Sequence, residues 1–229
     1  MSSFTGFDPE EINQLAKKVE EYAKETGTVI TDNLEKGIIS PISKCWYTPE
    51  GRKYWEGFRD VVSATGKEIA KSYNSFIDVI GSAEKNWAEN TQATVNIVKG
   101  TIDNVNMNLN IEEIKEKDGN RMWINEQEAT IVAGNISNVQ SNIKEGLSNI
   151  AKKLDANSAF IGQNQGEAVQ SLFNRLADSV SEIFKFLTED GAMTTSSGES
   201  QSVRTAIKNA VSKYGDSGKN IANSLSDIK

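Results

Sequence analysis

Apolar residues recur along most of this chain at the spacing of three and four that marks one face of a helix. Ile12, Leu15, Val19, Tyr22, Val29 or Ile30, Leu34, Ile38 and Ile42 form a first stripe, and the spacing predicts a long amphipathic helix. Its start is written in "DPEE": Asp8 can cap, Pro9 suits the first helical position, and Glu10 and Glu11 face the positive end of the helix dipole. A second stripe restarts from Pro49. It runs Trp55, Phe58, Val62, Thr65, Ile69, Tyr73, Phe76, Ile80, Ala83 and Trp87, alternating threes and fours in the manner of a coiled-coil seam. The joint between the stripes is short, which makes the two helices antiparallel neighbours.

The period changes at "VNMNLNI", Val105 to Ile111, where apolar residues alternate with Asn. Alternation argues for strand, and Asn is a poor helix former. Asp118-Gly119 is a turn signal, with Arg121 to Ile124 as a return strand. The expectation is a small β-hairpin, or at least a break in helix, from Asn104 to Ile124; a helix continuing through Val105 and Leu109 is the alternative. "NEQE", Asn125 to Glu128, then has capping-box form. Val132, Ile136, Val139, Ile143, Leu147, Ile150 and Leu154 make a third stripe, and Val169, Leu172 or Phe173, Leu176, Val180, Ile183 and Leu187 a fourth. Thr188 to Ser202 reads as a Gly- and Ser-rich linker. A weaker stripe, Val203, Ile207, Val211, Tyr214, Ile221 and Leu225, predicts a terminal helix, with Gly215, Ser217 and Gly218 falling inside it.

The fold class predicted is therefore mainly α: two antiparallel helical hairpins forming a four-helix bundle, with a small β-hairpin between them and a C-terminal helix. In sequence the first hairpin covers 1–99, the connector 100–124, the second hairpin 125–190, and the linker with the last helix 191–229. Each stripe is too narrow to shield itself, so the second hairpin supplies the surface that the first must cover.

Composition narrows the chemistry. The 229 residues hold no histidine and a single cysteine, Cys45. That removes Ser-His and Cys-His nucleophiles, His-ligated metals, Cys-rich zinc sites and any intrachain disulfide. Clustered carboxylates in "VEEYAKE" and "EEIKEKD" read as solvated helix faces, and no phosphate-cradling loop occurs. No catalytic residue, cofactor or metal site is predicted. The formal charge of -7 repels a duplex nucleic acid or an anionic membrane. No apolar run approaches the roughly 20 residues that span a bilayer, and "MSSFTGFDPEE" lacks the pattern of a cleavable secretory signal.

The bulkiest side chains gather at the joint of the first hairpin, in "KCWYTPEGRKYW", Lys44 to Trp55. Large rings there can seal a helical bend while Pro and Gly end one helix and begin the next; rings in such numbers also suit a contact patch. The second hairpin repeats the layout with "AFIGQNQGEA" followed by Phe173, so that Trp46 matches Phe160, Gly51 matches Gly166 and Phe58 matches Phe173. At Trp46, Gly51, Trp55 and Phe58, and again at Phe160, Gly162, Gly166 and Phe173, the sequence resembles the Trp-X-Gly (WXG) family. These are the small helical-hairpin proteins of type VII secretion systems in Gram-positive bacteria and mycobacteria. Thr48 stands where the motif has Gly, and Phe160 where it has Trp.

The resemblance implies a non-catalytic protein, an export substrate or effector partner, acting through helix-mediated protein contacts. Its partners would be a type VII ATPase, a chaperone or a cognate WXG-like protein, and it would be secreted without a cleavable signal. The family's export signature, Tyr followed four residues later by Asp or Glu, is absent: Tyr22, Tyr47, Tyr54, Tyr73 and Tyr214 are followed there by Thr26, Gly51, Phe58, Ile77 and Gly218. A mobile tail with Val203, Ile207, Val211 and Tyr214 partly unburied is the expected substitute, against the alternative of a fifth helix packed on the bundle. A helical pore-forming protein or an unspecified helical scaffold are the other readings, and the polarity of Asn104 to Asn125 opposes membrane insertion.

Overall fold

A computed structural model describes residues 6–112, 114, 123–156, 158–161, 163–191 and 201–226, with the side chains of 161, 163 and 221–226 left aside. Helix dominates it, as the stripes predict. Strand β1 (Gly6–Phe7) precedes α1 (Pro9–Leu34), which passes through a π-helical turn (Glu35–Ile39) into the short α2 (Ser40–Ile42). Then come β2 (Trp46–Tyr47), α3 (Pro49–Thr91), β3 (Trp123–Ile124), α4 (Glu126–Lys152) and β4 (Phe160–Ile161). Helix α5 (Gln163–Ile183), a 3₁₀ turn (Phe184–Leu187) and α6 (Val203–Ser226) complete the chain.

The π-helical turn sits just before Pro41, where an α-helix would drive the pyrrolidine ring into the carbonyl four residues back. The Ser40 N–H donates instead to the Glu35 carbonyl, five residues back. Ile38, Ile39 and Ile42 all stay buried across the irregularity. Helix α3 ends at Thr91, with Gln92 at a φ of 56°.

Two compact units result, and segments of both hairpins contribute to each. The first takes in residues to Ile30, Ala64–Met107 and Ile143–Ile183. Within it α1 and α3 run antiparallel, since Phe7 meets Trp87 while Thr26, further along α1, meets Tyr73, earlier on α3. Phe173 of α5 packs its ring on Tyr22, Tyr73 and Phe76, at centroid distances of 6.0, 6.0 and 4.9 Å. Gly146 of α4 lies against Val29 of α1. The buried Tyr73 hydroxyl shares a 2.6 Å hydrogen bond with Thr26, and burial pushes its pKa up to about 12.

The second unit takes in Thr31–Ser63, Asn108–Asn142 and the chain from Phe184 onward. Gly37 of the π-helical turn faces Val139 of α4, and Phe58 of α3 packs on Phe186 of the 3₁₀ turn. Along α4, Gln140 meets Thr188, Ser137 meets Arg204 and Glu126 meets Gly215, so α6 runs antiparallel to α4.

Among the described residues of Asn104 to Ile124 no helix forms, but the hairpin is not built as predicted. Val105 to Ile111 carries no strand ladder, and Trp123–Ile124 pairs with Trp46–Tyr47. The turn signal at Asp118-Gly119 lies outside the described residues. What alternation recorded is an extended strap laid on helices: Val105, Met107 and Leu109 are buried, and the asparagines between them are exposed. Within the first unit the strap runs along α3 by polar ties. Glu84 accepts from the Val98 N–H, Asp78 from the Gly100 N–H, and the Asn74 amide bonds both N–H and C=O of Ile102 at 2.9 and 2.8 Å. These side chains supply what a neighbouring strand would otherwise give the backbone.

Glycine permits that approach. A Cβ at Gly66 would lie 2.2 Å from the Val105 carbonyl oxygen, and one at Gly81 the same distance from that of Val98. Gly81→Ala is therefore expected to lose about 1–3 kcal/mol by overpacking. Gly134→Ala on α4, where a Cβ meets nothing within 4 Å, should gain about 0.5–1 kcal/mol from helix propensity. Urea unfolding of the two variants checks both signs.

Candidate functional site

The aromatic joint of the first hairpin folds into a capped bend. Thr48 is the N-cap of α3, its hydroxyl accepting the Gly51 N–H at 2.9 Å, with Pro49 at the first helical position. The same hydroxyl accepts the Trp46 indole N–H at 2.9 Å. Thr48 thus fastens the ring to the helix it caps. The indole then lies so close to the first turn of α3 that a Cβ on Gly51 would stand 2.6 Å from its nitrogen. Here the Gly is needed for space.

Trp46, Tyr54, Trp55 and Phe58 form one cluster in the second unit. Ring centroids are 5.9 Å apart for Trp46 and Trp55, 5.1 Å for Tyr54 and Trp55, and 5.5 Å for Trp55 and Phe58. The Trp55–ring contacts are edge-to-face, the geometry favoured by ring quadrupoles. Trp55 and Phe58 are fully buried, and Trp46 is 5% exposed. These four residues, singled out from sequence, therefore seal the bend. The exposed ring nearby is Trp123, 38% exposed and tilted against Tyr47, its partner in the β2–β3 register, at a centroid distance of 4.7 Å.

Cys45 is buried beside this cluster, with its thiol directed to the Pro41 and Ile42 carbonyls. Burial foremost, then the nearby Glu128 charge, pushes its pKa up to about 11. It is a small apolar filler whose thiolate is suppressed.

The second bend has the same backbone plan. In the first unit Gly6 and Phe7 pair with Ile161 and Phe160, and the Asp8 N–H donates to the Ala159 carbonyl at 3.0 Å. In the second unit Trp123 and Ile124 pair with Tyr47 and Trp46, and the Asn125 N–H donates to the Cys45 carbonyl at 2.7 Å. Asp8 and Asn125 are the N-caps of α1 and α4, accepting from Glu10 and Glu11 in one case and Glu128 in the other. Each hairpin's leading strand therefore closes the bend of the other hairpin.

This register corrects part of the predicted repeat. Trp46 does match Phe160, but β2 to α3 and β4 to α5 make the same step, so Gly51 matches Gln165 and Phe58 matches Leu172. Phe173 belongs to the middle of the first unit and not to the bend, because its helix phase turns it toward Tyr22 and Phe76. Gly166 is buried in the second turn of α5, and Gly162 lies outside the described residues. Of the leading strands, β1 was not anticipated, while β3 falls within the expected return strand Arg121 to Ile124 but pairs with β2. Their signal is an apolar residue directly before each cap, Phe7 before Asp8 and Ile124 before Asn125.

The first part of the tail follows the alternative of a packed helix and not that of a mobile tail. Val203 and Ile207 are fully buried in the second unit, while Val211 and Tyr214 are half-buried. Helix α6 is capped by Ser202, whose hydroxyl accepts the Thr205 N–H, and it contacts β3. Glu50 accepts from Lys213 and from the Tyr214 hydroxyl, which hold its carboxyl below the usual range. Residues 216–220 of α6 are exposed. No group of three or more potential metal ligands comes together, and no helix is long and apolar enough to cross a membrane, among the described residues.

Trp46→Ala is expected to lose about 3–5 kcal/mol, as removal of a large buried ring does; unchanged melting would assign the ring to contacts alone. Cys45 should resist thiol reagents at pH 8 until the protein unfolds. Because the fold favours the protonated thiol, its contribution to stability is complete below pH 9.0 and is lost as pH climbs toward about 11; urea midpoints across that range check it. Comparison with family models, with curated proteins and with solved structures returned no match.

Proposed function

We propose that this chain is a non-catalytic protein of a type VII secretion pathway, an export substrate or the effector partner of one, acting through helix-mediated contacts. The observation that carries the reading is the Trp46 bend. An indole is fastened to the cap of the following helix, a Gly lies beneath it, and the leading strand of a second hairpin closes it. The WXG resemblance implies a Trp at the bend of a helical hairpin, and Trp46 stands at such a bend, with Thr48, in place of the motif's Gly, taking up the indole N–H. A single WXG-like hairpin must find a second to cover its stripe; this chain carries both. Its protein partner would be the secretion ATPase, a chaperone or a cognate WXG-like protein.

Among the described residues, Trp123 beside the bend and residues 216–220 of α6 are exposed and reachable for recognition. The buried positions Val203 and Ile207 serve the second unit, so a recognition element in the tail begins after them. In a host with a type VII system, the protein is expected in the culture medium only when the ATPase is active; equal amounts in medium with the ATPase inactivated would overturn the pathway. Deleting 216–229 should abolish export with the melting temperature unchanged. Normal export of that truncated chain would remove the tail from the proposal.

A further inference from the structure

The two bends differ where they should match. Counted from the start of each helix, Tyr54, Trp55 and Phe58 of α3 correspond to Ala168, Val169 and Leu172 of α5. The three rings are buried and fill the second unit around β2. In the first unit Ala168 is exposed and Val169 and Leu172 are half-buried. Facing them, Val79 is 53% exposed, Ala83 is exposed and Trp87 half-buried. Ala83, Trp87, Val169 and Leu172 all belong to stripes whose spacing predicts a core. The result is an open apolar groove of about 220 Å³ floored by Phe7 and Phe160.

A second hollow of about 250 Å³ shares Val79 and Leu172 with the first and reaches Ser72, Arg175 and Ser179. Together they form a trough along α3 from Trp87 to Ser72, which at 1.5 Å per residue is about 22 Å, or four helical turns. The Arg175 guanidinium makes no ion pair among the described residues.

We propose that this trough docks one amphipathic helix of a protein partner, which places an aromatic side chain in the groove beside Phe160 and a carboxylate near Arg175. The ring is specified by the chain itself, since the corresponding space of the second unit is filled by Tyr54 and Trp55. The size agrees: an apolar cavity of about 150 Å³ takes up benzene, so the larger groove accepts an indole. Arg175 lies seven residues along α5 from Ala168, about 10 Å, which sets the carboxylate two turns from the anchor. A free aromatic molecule would leave the second hollow and Arg175 unused; a helix in a groove engages both. The proposal rests on reading the chain as an interaction protein and is independent of its export route.

Indole serves as the probe of the anchor. Added at millimolar concentration to the full chain with labelled Val, Leu and Ile methyl groups, it is expected to shift Val79, Val169 and Leu172 and leave the exposed Ile131 unmoved. Ala168→Trp supplies the missing ring and should weaken that response roughly tenfold or more, with melting at or above the wild-type value. Absence of shifts at Val169, or an undiminished response in Ala168→Trp, overturns the anchor site. A photo-crosslinking residue at Val79, in cells that make the protein, should join to a helical segment with Trp, Tyr or Phe within a turn and Asp or Glu two turns away. Arg175→Glu, on an exposed face, should keep the indole shifts and lose the crosslink. A small-molecule adduct, a segment without a ring, or a crosslink indifferent to Arg175→Glu overturns the helix as occupant. Failed export with these results intact would sink the secretion reading alone.

Discussion

Two backbone hydrogen bonds hold the plan of this protein, from Asp8 to Ala159 and from Asn125 to Cys45. Each sits at the end of a two-residue antiparallel ladder and at the cap of a long helix. Long amphipathic helices bury their stripes almost as well after sliding by one turn, about 5.4 Å, because hydrophobic contact is not directional. Ladders and caps are directional. They set where α1 begins against the second bend and where α4 begins against the first, and the Tyr47–Trp123 contact follows from that register.

The strap from Ala93 to Met107 adds a different constraint on the first unit. An extended backbone carries donors and acceptors that must be satisfied when it lies against a protein surface. Asn74, Asp78 and Glu84, one face of α3, do this by side chain, and Glu84 is nearly fully buried as a consequence. Burial raises its pKa and the Val98 N–H lowers it, with burial the stronger. The strap shields a surface of α1 and α3 that a further helix would otherwise have to cover. Gly27, Gly66 and Gly81 are the points of closest approach.

Against this shared plan the two bends carry different side chains. Around β2, Trp46, Tyr54, Trp55 and Phe58 bury one another. Around β4, Phe160 meets Ala168 and Val169 at corresponding places, and apolar surface is left open between α3 and α5. The larger side chains seal the first bend, and the smaller ones leave the surface at the second open.

Much of the architecture is legible in the residues. Spacing of threes and fours located α1, α3, α4 and α5, "DPEE" and "NEQE" located the starts of α1 and α4, and the rings of "KCWYTPEGRKYW" located a bend that they do seal. These are local properties: a cap, a periodicity and a helix-breaking pair act within a few residues of themselves. The partner of Trp123–Ile124, the unladdered strap at Val105, the burial of Val203 and Ile207, and the place of Phe173 were decided by the tertiary structure. Each depends on which of several similar apolar surfaces lies opposite, and a pattern of apolar positions records that a residue needs cover without recording what covers it.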